Sequence, residues 1–344
     1  MTVFGPGDAA QTVQSIADVQ ASDGRIPWFP GGRTDPWDHV EAAMALDSGG
    51  HAGAARAAYE WLRRVQNPDG SWYREYEGDR VLEPVREANF SAYLAVGLLH
   101  HRLTTGDESF VDEMWPTLVR ALDFVLGLQA PDGTIEWAPG GEEALLTGCS
   151  SMFHSLRCAL ELARLRDEPQ PDWELAATNL GHAILAHPDS FAPRDRYSMD
   201  WYYPVLGGVL RGPAAQERLG AEWDRFVVPG LGIRCVSDRP WVTGAETCEL
   251  VLALCATGDH ARASVLFADM QHLRDPDGSY WTGYVYPDDA RWPEEKTTWT
   301  SAAVVLASAM LTGDPVTTAV FGAADLPVRS SSIDVACGVH LDAA

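Results

Sequence analysis

The chain has 344 residues, with 25 Lys or Arg against 49 Asp or Glu, and its net charge at pH 7 is −24. This acidity excludes a protein that tracks the phosphates of nucleic acid. The N-terminus lacks the basic and apolar regions of a signal peptide, and no segment is apolar enough to span a bilayer. We therefore expect a soluble cytoplasmic protein without an integral membrane part. Its expected partner is a small-molecule substrate. No sequence pattern indicates an oligomeric state.

Helical patterns cover most of the chain. The first well-marked helix begins at Asp35, which suits an N-cap because Pro36 follows at the first helical position. Strand-like alternation is short, as in Ile26 to Phe29 and Tyr280 to Tyr286, and predicts small ribbons at helix ends. After the helix that runs from Asp35 to Gly49-Gly50, the patterns predict helices near 52–66, 87–105, 108–129, 148–165, 173–187, 200–211, 213–226, 243–257, 259–272 and 297–312.

A short pattern of Gln, turn and Trp recurs along the chain. In its fullest copy, Gln66 ends a helix, a Pro-Asp-Gly turn reaches Gly70, and Trp72 closes the turn. Weaker copies begin at Gln20, Gln129 and Gln271. The Gly can adopt the positive φ that such a turn requires, and the Gln side chain can bond to a neighbouring unit. The chain is therefore predicted to be a repeat protein.

Helical pairs that cannot bury their apolar faces alone stack into a solenoid or close into a ring. We favour a closed ring and predict an all-α fold, an (α/α)6 barrel or toroid of helical hairpins. No linker of Ser and Gly and no block of charge divides the chain. We predict a single toroid domain over 1–325 and a C-terminal tail over 326–344.

The fullest copy of the repeat also resembles a known motif. It reads Arg56-x2-Tyr59-x2-Leu62-x3-Gln66-x3-Gly70-x-Trp72. This matches the QW motif of the squalene-hopene and oxidosqualene cyclases, and the chain is similar to members of the terpene cyclase/prenyltransferase α/α-toroid superfamily. The resemblance implies the toroid fold and an isoprenoid substrate.

In those cyclases, the middle Asp of an Asp-x-Asp-Asp motif protonates the substrate. The nearest segment here is Ser198-Met199-Asp200-Trp201, which retains only Asp200. The resemblance implies that Asp200 is the general acid of an acid-initiated cyclase or a related isoprenoid-processing enzyme. The aromatic rings of Trp201, Tyr202 and Tyr203 would then surround the cation.

A carbohydrate-active enzyme is the alternative. Glu41, Glu246 and Asp200 each lie at the start of a predicted helix, close to Trp37, Trp241 and Trp201 respectively. Inverting glycoside hydrolases hold two carboxyl groups about 6.5–9.5 Å apart, and aromatic rings commonly line ligand pockets. This layout fits a hydrolase, an epimerase or a lyase that uses Glu41, Asp200 and Glu246. A non-catalytic ligand-binding toroid is the second alternative.

Several other side chains are candidates for substrate binding. They are His39, Asn89, His154, Arg157 and Trp281, together with the aromatic residues named above. His154 and Arg157 are three residues apart on one helix face, and a buried polar pair explains them equally well. Asp35 and Asp38 are assigned to helix capping. No metal site and no cofactor are predicted, and the six cysteines include no Cys-x-x-Cys pair.

Overall fold

The computed structural model describes residues 4–78, 80–322 and 324–334. Helices dominate these residues, and most of them alternate between an inner and an outer layer. In chain order they are α1 Pro6–Ala17, α2 Pro36–Ser48, α3 Ala52–Val65, α4 Ala88–Ala92, α5 Leu94–Thr105, α6 Glu108–Leu126, α7 Leu146–Leu165, α8 Pro171–Ala186, α9 Ser198–Leu206, α10 Gly212–Ala221, α11 Trp223–Phe226, α12 Gly244–Ala256, α13 His260–Asp269, α14 Thr298–Leu311 and α15 Pro315–Thr317.

The inner helices form a closed ring. Helix α2 packs on α5, α5 on α7, α7 on α9, α9 on α12, α12 on α14, and α14 again on α2. These helices are buried on all sides; in α12, for example, every residue from Gly244 to Cys255 is buried. The outer helices α3, α6, α8, α10, α13 and α1 cover the ring. The predicted (α/α)6 toroid is confirmed.

Helix α1 was missed by the sequence analysis. It buries only Thr12, Val13 and Ile16, so its apolar pattern is too sparse to be recognised alone. In the structure, α1 packs against α14, the last inner helix. The Thr12 hydroxyl also donates to the Gly278 carbonyl at 2.9 Å. The first helix therefore closes the ring, as a toroid requires.

The repeated Gln joins consecutive outer helices. Gln66 Nε2 donates to the Gly70 carbonyl of its own turn and to the Thr117 carbonyl of α6, both at 2.9 Å. Gln20 and Gln129 make the equivalent pairs of bonds to α3 and α8. Gln271 departs from the pattern, because its Nε2 donates to the Phe267 carbonyl of its own helix. The repeat thus holds the outer layer together.

Gly70 has φ +92°, and a Cβ there would collide with the Arg120 carbonyl of α6. Gly50 has φ +80° with open space around it. We therefore expect Gly70→Ala to destabilise the protein by about 3 kcal/mol or more, and Gly50→Ala by about 1 kcal/mol. Thermal unfolding of both variants measures the difference. Equal losses of stability in the two variants would show that the close contact between Gly70 and α6 adds nothing to the requirement for glycine.

Short strands lie before the inner helices. The hairpin of β1, Tyr73–Glu77, and β2, Arg80–Arg86, precedes α4. An antiparallel sheet in the order β3-β4-β5-β6-β7 surrounds the start of α12. Its strands are β3 Val227–Val228, β4 Gly232–Arg234, β5 Trp241–Thr243, β6 Gly283–Val285 and β7 Ala290–Arg291. The ribbon predicted near 280–286 is present as β6, whereas 26–29 forms no strand.

Part of the segment predicted as a tail packs against the toroid. Leu326 and Ile333 are buried, and Arg157 donates to the Leu326 and Pro327 carbonyls at 3.0 and 2.7 Å. Residues 335–344 lie outside the described residues, and the division at 325 stays a prediction. No single helix in the described ranges is long and apolar enough to cross a membrane. The bent pair Thr298–Leu311 and Pro315–Gly322, at 96°, meets that test by length and composition only.

Candidate functional site

Carboxyl groups from two inner helices meet inside the ring, near the helix N-termini. On α2, Asp38 and Glu41 are 5% and 3% exposed, and on α12, Glu246 and Glu249 are 6% and 3% exposed. Within each pair the residues are three apart, so they lie on one helix face. Helices α2 and α12 both pack on α14, one on each side of it. These four acids and the side chains around them form the axial cluster, the strongest candidate for a reaction centre.

Asp35 is both the N-cap of α2 and a neighbour of Asp38. Its Oδ1 accepts the backbone amides of Trp37 and Asp38 at 2.9 and 2.8 Å, and its Oδ2 accepts the Trp28 indole N–H at 2.5 Å. Hydrogen bonds of this kind favour the charged carboxylate. The side chains of Asp35 and Asp38 are also hydrogen-bonded to each other. The capping role predicted for Asp35 is confirmed, and Asp35 also contacts the side chains of Trp28 and Asp38.

Asp38 keeps its proton in this arrangement. Burial raises the pKa of Asp38 well above its usual range, and the charge of Asp35 raises it further. The nearby carboxyls of Glu41 and Glu249 act in the same direction. Burial raises the pKa of Asp35 as well, but its three hydrogen bonds oppose that change, so Asp35 is the partner that more readily carries the charge. A protonated carboxyl beside a charged one is the arrangement required of a general acid.

Tyrosine hydroxyls hold the two deeper acids. The Tyr93 hydroxyl donates to Glu41, and the hydroxyls of Tyr202 and Tyr203 donate to Glu249, the latter at 2.7 Å. Glu246, one turn closer to the start of α12, lies near the Cys235 thiol. Burial raises the pKa of Cys235, so that thiol stays protonated and can donate. Among the described residues, no tyrosine hydroxyl donates to Glu246, in contrast to Glu249 on the same helix.

Aromatic rings surround the acids. The Trp37 ring lies 5.2 Å from Tyr93, 6.4 Å from Tyr203 and 5.7 Å from Trp299, measured between centroids. Nε1 of Trp37, Nε1 of Trp299 and Oδ1 of Asn89 are buried and have no hydrogen-bond partner among the described residues. Buried polar atoms are normally paired. These three groups are therefore candidates for hydrogen bonds to a ligand that carries hydroxyl groups.

The structure brings together only some of the predicted site residues. Trp37, Glu41, Tyr202, Tyr203 and Glu246 belong to the axial cluster. Asn89 begins α4, and the neighbouring Glu87 is close enough to Asp35 for the two charges to interact. Trp241 and Trp281 lie on the loops and strands before α12 and α14, half-buried, so they belong to the rim.

Asp200 does not join the acids of α2 and α12. Its Oδ1 accepts the Thr147 hydroxyl at 2.5 Å and the Thr147 amide at 3.3 Å, and the charges near it are those of Arg218 and Arg194. Asp200 lines a groove on the outer side of α9, which α10 also lines. The expected convergence of Asp200 with Glu41 and Glu246 is wrong. The start of α9 instead lies against α7 and α10, where Thr147 donates to the Asp200 carboxyl and Arg218 donates to the Asp200 and Trp201 carbonyls.

Four other predicted binding residues have structural contacts instead. His39 bonds to the Ile26 amide and the Ala58 carbonyl, between α2 and α3. His154 stacks on Phe321 with centroids 5.7 Å apart, and Arg157 holds the segment at 326–327. The Trp201 indole N–H donates to the Arg218 carbonyl of α10 at 2.9 Å. All four fasten neighbouring elements outside the axial cluster.

Sequence reasoning missed Asp38, Tyr93, Glu249 and Trp299. One signal was available: both α2 and α12 carry acids three residues apart, in Asp38 and Glu41 and in Glu246 and Glu249. A capping role explains only the first acid of each helix. The second acid of each pair lies beyond the first turn and needs another explanation.

Glu41 provides a test of the buried charges. Burial raises its pKa from an ordinary 4.5 to about 7, although the hydrogen bond from Tyr93 opposes the change. The stability that protonated Glu41 contributes is present below its unfolded pKa and is lost as the pH rises through about 7. We expect Glu41→Gln to resemble the wild type at pH 5 and to be more stable at pH 8, by up to about 3 kcal/mol. Denaturant unfolding at both pH values measures this, and a pH-independent difference would contradict it.

The described residues contain no group of three His, Cys, Asp or Glu side chains placed to hold a metal ion. The groups that the axial cluster offers to a ligand are its carboxyls, its tyrosines and its indoles. A protonated Asp38 can donate a proton, and Glu246 supplies a second carboxyl group from another helix.

Solved structures of other proteins share the fold, although no family model matches the chain. A wild-type glycosidase aligns with a TM-score of 0.73 and 15% identity, covering 89% of this chain and 96% of that one. A GH63 mannosylglycerate hydrolase from Thermus thermophilus aligns with a TM-score of 0.67 and 12% identity, covering 87% and 99%. At such identities the likeness shows the α/α toroid and no more.

A sequence relative is much closer. The MMP endo-(1,4)-3-O-methyl-alpha-D-mannosidase of Mycolicibacterium hassiacum is 56% identical over 329 residues, which are 94% of this chain and 92% of that protein. This finding supports the carbohydrate-active alternative. The expected membership of the terpene cyclase/prenyltransferase superfamily is wrong beyond the shared toroid, because the Gln repeat serves the architecture and does not indicate isoprenoid chemistry. The chain belongs to the family of the Mycolicibacterium hassiacum mannosidase.

Proposed function

We propose that the protein is an endo-acting glycoside hydrolase that cleaves α-(1→4) linkages between 3-O-methyl-mannose units. The observation that carries the proposal is the buried pair of Asp35 and Asp38 at the start of α2, with Glu246 on α12 and unpaired buried polar atoms in the same cluster. The 56% identity to the mannosidase supports the same linkage and sugar. Asp38 is the general acid and Glu246 is the general base.

Asp38 has the properties that protonation of a leaving group requires. A glycosidic oxygen must receive a proton as its bond to the anomeric carbon breaks. Burial and the adjacent charge of Asp35 keep the Asp38 proton available at neutral pH. After the proton is transferred, the Asp38 carboxylate adjoins the carboxylate of Asp35. That repulsion raises the pKa of Asp38, so Asp38 keeps its proton until the lengthening bond makes the glycosidic oxygen basic enough to accept it.

Glu246 is placed to activate water. It lies on α12, whereas Asp38 lies on α2, and α14 packs between these two helices. A sugar bound between these helices would meet the acid and the base from different helices. Inversion requires in addition a water molecule between Glu246 and the anomeric carbon. Glu249 is less suited, because Tyr202 and Tyr203 already donate to it.

Aromatic side chains would bind the sugar. The Trp37 and Trp299 rings offer apolar faces and one free N–H each, and Asn89 offers a free carbonyl oxygen. Sugar rings have apolar C–H faces and hydroxyl edges, so they can use both kinds of contact. Trp241 and Trp281 at the rim would contact further units of the same chain.

The test is a product analysis with oligosaccharides of α-(1→4)-linked 3-O-methyl-mannose. Mass spectrometry should show cleavage at internal linkages, with two shorter oligosaccharides formed in each event. Unmethylated α-(1→4)-mannose oligosaccharides serve as the comparison. The absence of any cleavage, or release of single terminal units only, would contradict the proposed endo-hydrolase.

Inversion gives a separate prediction. We expect the first product with a new reducing end to be the β-anomer, because water attacks the face opposite the α-linked leaving group. Proton NMR during the first minutes of the reaction resolves the two anomers before they equilibrate. A first-formed α-anomer would indicate a covalent intermediate, and Glu246 would then be a nucleophile.

A further inference from the structure

A groove beside α9 is separate from the axial acids. It has a volume of about 780 Å³ and lies between the loop at 188–195 and helices α9 and α10. On α10, the lining residues Ala214, Glu217, Arg218 and Ala221 are spaced so that they form one face of the helix. A groove of this volume falls within the range of small-ligand sites, about 300–1,000 Å³.

The bottom of the groove holds a buried carboxyl group. Asp200 is 8% exposed, and its hydrogen bonds with Thr147 both go to Oδ1. Arg218 is fixed beside it, since its Nη2 donates to the Asp200 carbonyl at 2.7 Å and its Nε to the Trp201 carbonyl at 2.8 Å. The groove thus combines an oriented acceptor with an oriented cation.

Charged side chains of both signs surround the groove and some of them pair with each other, so they do not select a strongly charged ligand of either sign. Asp189, Asp195, Glu217 and Glu222 would repel an anion, and Arg194, Arg218 and Arg225 would repel a cation. Arg225 pairs with Glu222 at 3.0 Å and with Asp195 at 3.2 Å. A neutral molecule that both donates and accepts hydrogen bonds meets no such repulsion.

Apolar side chains form much of the remaining wall. They are Leu146, Phe191, Pro193, Leu210 and Phe226. A neutral ligand for this groove must therefore present apolar groups next to its hydroxyls. An O-methylated sugar has this chemistry, because each methyl ether adds an apolar group and removes a hydroxyl donor.

We propose that this groove is a second carbohydrate-binding site, specific for O-methylated mannose units. The identity of the sugar rests on the proposed function, whereas the groove and its polar groups do not. Asp200 accepts hydroxyl groups of the bound unit, and the apolar wall contacts its methyl groups. Thr147, which fixes Asp200, lies in the first turn of α7, so the groove adjoins the same end of the ring as the axial acids. A long oligosaccharide can use both sites of the enzyme.

The experiment measures binding without turnover. Full-length protein carrying Asp38→Asn is titrated calorimetrically with the α-(1→4)-linked disaccharide of 3-O-methyl-mannose. We expect two binding events. Adding Ala221→Trp, which fills the groove from an exposed position on α10, should remove one of them. Gln216→Trp, exposed on another face of α10, is the matched control and should keep both.

Ala214→Trp repeats the block from the other end of the α10 face and covers the case in which Ala221→Trp fails to fold. Each buried methyl should strengthen binding roughly fourfold, so the unmethylated disaccharide should bind the groove more weakly. A single binding event that the Trp variants leave unchanged, or no binding at all, would overturn the second site. Equal affinity for both disaccharides would overturn its specificity. The product analysis of the wild type reports on hydrolysis alone, so failure of the proposed function is distinguishable.

Discussion

Replacing Asp38 by Asn should lower turnover by about 10²- to 10⁴-fold, because the side chain keeps its shape but loses the transferable proton. The loss should appear in kcat, since the leaving group receives the proton in the transition state. The N-cap of α2 is Asp35 and remains intact, so the melting temperature should change little. The measurement compares kcat of wild type and variant on the methylated oligosaccharide.

The dependence on the leaving group separates a general acid from a residue that only binds the sugar. An aryl oligosaccharide with an acidic phenol needs little protonation as it departs. Asp38→Asn should therefore lose much less activity on this substrate than on the natural linkage. Equal losses on both substrates would show that Asp38 is not the proton donor.

Replacing the neighbouring Asp35 should shift the pH dependence of kcat in a direction that the charges predict. Its charge raises the pKa of Asp38, in addition to burial and the carboxyls of Glu41 and Glu249. Asp35→Asn keeps a capping side chain but removes the charge, so the pKa of Asp38 should fall. Because the reaction needs protonated Asp38, the alkaline limb of the kcat profile should move to lower pH. A shift to higher pH would contradict the assignment of the two protonation states.

Glu246→Gln should lower turnover by about 10²- to 10⁴-fold on both the natural and the aryl substrate, because water must be deprotonated whichever group departs. This equal loss distinguishes the base from the acid. Substrate binding to the axial site should persist, since the amide fills the same volume as the carboxyl. Kinetics on the two substrates and calorimetry with the disaccharide give the three measurements.

Glu249→Gln is the matched control for Glu246. The residue lies on the same helix, one turn deeper, and its oxygens accept the hydroxyls of Tyr202 and Tyr203. We expect less than a tenfold loss from this variant, because it does not contact the attacking water. The assignment of the base fails if Glu249→Gln is inactive while Glu246→Gln retains activity.

The sequence by itself determined the architecture. The turn after Gln66 requires a residue with positive φ, and Gly70 meets the requirement locally. The repeated Gln was expected to bond to a neighbouring unit, and Gln20, Gln66 and Gln129 do so. The well-marked start of α2 likewise follows from Asp35 and Pro36 alone. Helix α1 was not predicted, because its few buried residues gain their partner only when the ring closes against α14.

Only the tertiary structure decided which acids meet. Asp38, Asp200 and Glu246 all lie in the first turn of an inner helix, where the helix dipole favours an acid in any case. Their local sequences therefore do not distinguish a catalytic acid from a structural one. The difference arises from the neighbours that each helix meets in the ring. Asp38 and Glu246 lie near the other acids of α2 and α12, whereas Asp200 is held by Thr147 of α7 and lines the groove beside α9.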